Sequence, residues 1–132
     1  MKLKILVVVV ILFIYGLTVI YTKENGTVKY INVRELNENS FILDVRTKEE
    51  IDSVRLTLPF VNEDSTVIDV NKFIDKYNLQ NKETTIIILC YSGRRAEKVA
   101  KQFIKVGYDN IKVVKGGIQE IEKEGVKVLK GK

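Results

Sequence analysis

Cys90-Tyr91-Ser92-Gly93-Arg94-Arg95 sets a thiol three residues before a glycine and close to two arginines, directly after the apolar run Thr84-Thr85-Ile86-Ile87-Ile88-Leu89. Thiolate is the reactive form of cysteine, and it is favoured where backbone amides, a helix N-terminus and positive charge converge. All three are expected here. Gly93 permits a tight turn, helical spacing begins after it, and Arg94 and Arg95 supply charge, so Cys90 is expected to be substantially thiolate at neutral pH. Such a cradle can hold the terminal sulfur of a persulfide or the oxyanion end of a small anion. The plainer reading of an isolated cysteine after an apolar strand is a side chain that fills core space. Gly, Ser and two Arg make a poor apolar pocket for that purpose and a good anion site.

The rest of the composition narrows the chemistry. There is no histidine and only one cysteine. A Ser-His-Asp triad, a Cys-His pair, a histidine metal site, an internal disulfide and a CxxC pair are therefore excluded, and no metal or cofactor is called for. Lys2 and Lys4 precede the main body, which keeps 20 of the 22 basic residues against all 17 acidic ones, a net +3. These charges are interspersed, so nucleic acid is not an expected partner, and a weak preference for small anions is.

The elements that must position Cys90 follow from periodicity. Thr27–Ile31 reads as a first strand, with a helical turn over 32–36. Phe41-Ile42-Leu43-Asp44-Val45 reads as a buried strand, and Thr47 with Glu50 as a capping box opening a helix. A short strand within a loop is expected between Val54 and Asp64. Asp69 is a candidate N-cap for a helix with Val70, Phe73, Ile74 and Tyr77 on one face, stopping near Asn78. Thr84–Leu89 suits the centre of a parallel sheet, ending at Cys90. Ala96, Val99, Ala100, Phe103 and Ile104 mark a helix that Gly107 ends. Ile111–Val114 is a further strand, Gly116-Gly117 a turn, and Ile118 with Ile121 the inner face of a last helix. This alternation indicates an α/β domain, with a mostly parallel sheet covered on both faces and ligands beyond the strands' carboxyl ends. Lys123–Lys132 reads as a solvated tail.

Ile5–Tyr21 carries no charge, and at about 1.5 Å rise per residue a helix of this length just crosses a hydrocarbon core. Residues 1–22 are accordingly expected to be a membrane anchor or uncleaved signal, residues 23–27 a short linker, and residues 28–132 the folded domain. The lysines before the run place the N-terminus in the cytoplasm and the domain outside it, with membrane contact through residues 5–21. The alternative is a secreted or periplasmic domain after cleavage, for which no A-x-A site is present.

Cys90, Gly93 and Arg95 resemble the Cys-x-x-Gly-x-Arg active-site loop of the rhodanese family. Leu43-Asp44-Val45-Arg46 resembles the family's strand-end Asp-x-Arg, and Lys115-Gly116-Gly117 with Gly125-Val126 its closing segment. The resemblance implies a rhodanese-like α/β fold and a sulfurtransferase. Cys90 would take sulfane sulfur from a small donor such as thiosulfate or polysulfide, hold it as a persulfide and pass it to a thiol or other thiophilic acceptor. Tyr91, Ser92, Gly93, Arg94 and Arg95 would bind the donor, with Arg94 at the entrance, while Asp44 and Arg46 would brace the loop. A slow persulfide carrier or binding module of the same fold is the alternative.

Two segments depart from the family's pattern. Ser53-Val54-Arg55-Leu56-Thr57-Leu58-Pro59 replaces the usual Gly-His-Ile-Pro-Gly-Ala, and Ile121 replaces a customary Trp. Cysteine phosphatases, which use a similar loop, place arginine six positions after the nucleophile. Here that position is Ala96 and the arginine comes at 95.

Overall fold

The computed structural model describes residues 27–125 and Val128 in full, and residues 6–13, 16–23, 129 and 130 by backbone alone. Leu6–Phe13 (β1) and Gly16–Lys23 (β2) pair antiparallel. They stand where a single helix over residues 5–21 was expected, and among the described residues no helix is long and apolar enough to cross a membrane. Val, Ile, Phe, Thr and Tyr favour strands, so a composition that suits a lipid-facing helix equally suits paired strands. Most of the expected linker, residues 24–26, lies outside the described residues.

The body begins with Lys29–Ile31 (β3) and a short 3-10 turn, Val33–Glu35, capped by the Asn32 side chain. Phe41–Asp44 (β4) leads into Lys48–Ser53 (α1), whose start carries the full Thr47/Glu50 capping box. Val54–Leu56 (β5) and Val61–Asn62 (β6) follow, where one short strand was expected. Val70–Lys76 (α2) is capped by Asp69. Ile86–Leu89 (β7), Arg94–Lys105 (α3), Ile111–Val114 (β8), Gly117–Lys123 (α4) and Val128–Lys130 (β9) complete the chain.

Five strands form one sheet in the order β3-β8-β7-β4-β6, and every pairing in it is parallel. β7 lies at its centre with all four side chains buried, as an uninterrupted apolar strand requires. Alternation along the strands divides the core. Leu43, Ile86 and Ile88 face Val99 and Phe103 of α3 and Phe73 of α2, while Ile42, Ile87 and Leu89 face Ile118 and Ile121 of α4. Helices therefore cover both faces. The expected solvated tail is partly structured, since β9 pairs antiparallel with β5 and Val128 packs against the second core. Pairing between segments so far apart in the chain leaves no mark on local periodicity.

Candidate active site

Cys90 follows the last residue of β7 and is 1% exposed, with a free thiol. Its loop turns at Gly93, whose φ of +109° is a backbone state that side-chain-bearing residues rarely adopt. That conformation turns the chain into α3, while the Gly93 N–H faces the sulfur and donates to Cys90 Sγ at 3.0 Å. α3 starts at the next residue, so the thiol sits below the helix's first turn. Tyr91 and Ser92 are exposed at the rim, and Arg94 is exposed at the helix start.

A second glycine supports the loop from behind. The Ile118 and Gln119 amides, in the first turn of α4, donate to Cys90 O at 2.9 Å and Tyr91 O at 3.2 Å. Unpaired amides at a helix start thus pin the carbonyls of the cysteine loop. A Cβ on Gly117 would collide with both of those carbonyl oxygens, so only glycine allows this approach. An open depression of about 550 Å³, lined by Tyr91, Gly116, Gln119, Glu120, Glu122 and Lys123, borders this side of the loop.

Asp44 and Arg46 form a closed pair beneath the site, at 0% and 1% exposure. Arg46 donates from Nη2 to Asp44 Oδ2 at 2.9 Å and from Nε to both carboxylate oxygens at 3.1 Å, and its backbone amide bonds Oδ1 at 3.0 Å. Arg46 Nη1 also reaches the Glu50 carbonyl at 3.4 Å, tying the end of β4 to α1.

Arg95 points to α1. Its Nη1 donates to Glu50 Oε1 at 2.7 Å and its Nη2 to Glu50 Oε2 at 2.8 Å, a two-on-two match in which each side chain is 34% exposed. This pairing holds the Glu50 carboxyl at a pKa of about 2, with the Thr47 amide and hydroxyl helping against partial burial. Glu50 in turn raises Arg95 further, and the Cys90 and Asp44 charges act on Arg95 in the same direction. Asp64 is held below the ordinary carboxylate value first by the Thr66 amide and hydroxyl, and it also feels Arg95.

Cys90, Tyr91, Ser92, Gly93, Arg94 and Arg95 thus form one contiguous loop and helix start, with Asp44 and Arg46 buried below. Sequence reasoning identified Glu50 only as a helix cap. Its capping pattern was legible, but its contact with Arg95 spans two helices that no local spacing relates.

A buried thiol at the end of a central parallel strand, facing a glycine amide and a helix start, defines an α/β domain with a cysteine-centred loop. The Rhodanese-like domain profile matches residues 30–124, most of the chain, and the chain belongs to that family, which is generally associated with sulfurtransferases. It is 34% identical over 98 residues to a rhodanese domain-containing protein of Drosophila melanogaster, covering 65% of this chain and 86% of that one. It is 33% identical over 99 residues to the adenylyltransferase and sulfurtransferase UBA4 of Debaryomyces hansenii, covering 72% of this chain and 22% of that much longer protein. The crystal structure of a rhodanese-related protein from Thermoplasma volcanium superposes with a TM-score of 0.57 at 26% identity, covering 76% of this chain and 97% of that one.

Proposed function

We propose that the protein is a sulfurtransferase in which Cys90 carries sulfane sulfur as a persulfide. The observation that carries this reading is the Gly93 N–H on Cys90 Sγ at 3.0 Å, which places a donor where a sulfur anion needs one. In the loading step the Cys90 thiolate attacks the outer sulfur of thiosulfate or a polysulfide. The donor's S–S bond breaks, its electron pair leaves with sulfite or the shortened polysulfide, and Cys90 retains the outer sulfur as Sγ–S⁻. A thiophilic acceptor then attacks that sulfur, and the Sγ–S pair returns to Cys90 as thiolate. Each step moves sulfur at the zero-valent level and needs no cofactor or metal. Loop amides and the start of α3 stabilise the negative charge carried by the persulfide.

Intact-mass analysis of the full chain after exposure to thiosulfate or polysulfide tests the reading. One added sulfur on wild-type protein and none on Cys90→Ser is the expected result. Loading of the Ser variant, or no loading of the wild type by either donor, removes it.

The second reading is a persulfide carrier or binding module without rapid turnover. It is favoured by Ser53-Val54-Arg55-Leu56-Thr57-Leu58-Pro59, which stands in place of the family's His-containing segment. Steady-state turnover with small acceptors separates the two.

Membrane attachment through residues 5–21, with the N-terminus cytoplasmic and the domain at residues 28–132 outside the cytoplasm, is part of the same proposal. It rests on the charge-free run and the lysines before it. A secreted or periplasmic domain after cleavage is its rival, and no nucleic acid is proposed as a partner.

A further inference from the structure

Three arginines surround the cysteine loop, and two of them are committed to carboxylates. Arg46 is closed on Asp44. Arg95 gives both terminal nitrogens to Glu50, at 2.7 and 2.8 Å. A guanidinium matched in this way offers little net charge to a third group. Because Glu50 is held at a pKa of about 2, the match persists wherever the thiolate exists. Asp64 lies near enough to feel both partners, adding negative charge on the same side. Among the described residues only Arg94 of the three has no carboxylate partner, and it lies exposed at the rim.

The two donor chemistries differ in what they ask of this site. Attack on thiosulfate brings a thiolate against a dianion and releases sulfite, so two full charges must be met beside Cys90. Attack on a thiol persulfide, R–S–SH, does not. The thiolate bonds the outer sulfur, the S–S bond breaks, and its electron pair leaves on R–S⁻. The proton stays on the transferred sulfur as Sγ–SH, with no net oxidation.

Resting on the sulfur-transfer reading above, we propose that Glu50 is a specificity-determining residue. By holding Arg95 it leaves the loop a single free cation, Arg94 at the rim, too little for a dianionic donor, and directs the site toward thiol persulfides.

The experiment compares loading of the full chain by thiosulfate and by cysteine persulfide, a zwitterion whose carrier adds no net charge, with rates taken across donor concentration by intact mass. Wild-type protein is expected to load more efficiently from the persulfide. Glu50→Gln is the informative change, because glutamine at this position still closes the cap with Thr47 but no longer neutralises Arg95. Its thiosulfate-to-persulfide efficiency ratio should rise roughly tenfold, mainly through a lower half-saturating thiosulfate concentration. Glu50→Asp, which keeps the charge, should lie nearer the wild-type ratio than Glu50→Gln. An unchanged ratio in a folded Glu50→Gln protein, or equal losses for both donors, overturns the assignment. Preference of the wild type itself for thiosulfate overturns it without any variant, which covers a Glu50→Gln protein that fails to fold. Failure of both donors to load the wild type instead removes the sulfur-transfer reading, and this assignment falls with it.

Discussion

Ser differs from Cys at position 90 by one atom in a site that is 1% exposed, so the substitution removes the nucleophile with little change in packing. Cys90→Ser should therefore abolish sulfur loading while its thermal unfolding stays close to wild type; a large drop in melting temperature would mean that Cys90 is needed for the core. The opposite pattern is expected at Asp44. Asp44→Ala leaves the Arg46 guanidinium buried and unpaired, a change that typically costs about 3 to 5 kcal/mol, to be read as a lower denaturation midpoint in urea. A midpoint within error of wild type would show that Arg46 finds another partner. The cysteine, the glycine and the arginines stand out in the sequence as a candidate site because they are neighbours whose types state one chemistry. Their partners do not. Asp44 and Arg46, two residues apart, were legible as a pair but not as a buried one, and Glu50 was legible as a cap but not as the group that holds Arg95, since burial and cross-helix contact depend on how the elements pack.

The elements that position the loop divide along the same line. Caps and apolar periodicity are local, and the Thr47 box, the Asp69 cap, β7, β8 and the ends of α2 and α3 stand close to where spacing puts them. The β5–β9 pairing and the use of the first turn of α4 to hold the Cys90 and Tyr91 carbonyls are long-range, and no window of sequence contains them. Gly117→Ala tests the second. It forces apart the α4 start and the cysteine loop, so both stability and loading should fall, by denaturation midpoint and intact mass, whereas loading at the wild-type rate would show that the loop tolerates the shift. The α1–α3 clamp has a pH signature. The Glu50 carboxyl titrates lower in the folded chain, at about 2 against 4.5 when unperturbed, so its contribution to stability is fully present above about pH 4.5 and is lost as pH falls through 2. The gap in melting temperature between wild type and Glu50→Gln should therefore narrow between these limits, and a gap that is constant from neutral pH to pH 2 would place the clamp's effect elsewhere.

At the scale of the whole molecule, a fully parallel five-stranded sheet with a core on each face accounts for the family's domain, and the apolar N-terminal run stands outside that sheet. The run's composition allows two states. As paired strands it leaves the outer edges of β1 and β2 open, and unpaired backbone groups are not tolerated in hydrocarbon. As a helix it satisfies every backbone group internally and just reaches across a bilayer. Spanning the bilayer by this run as a single segment therefore requires the helix. The full chain added to lipid vesicles should gain helical ellipticity relative to a protein beginning at residue 27, and in cells it should remain in the membrane pellet after alkaline washing. The proposed orientation, with Lys2 and Lys4 before the run and the N-terminus inside, has its own test: protease added to cells with a permeable outer layer should digest the domain. Recovery of the full-length chain in the soluble fraction would refute attachment, and protection of the domain until the inner membrane is broken would refute the orientation. A shortened chain released to the medium or periplasm would identify the run as a cleaved signal.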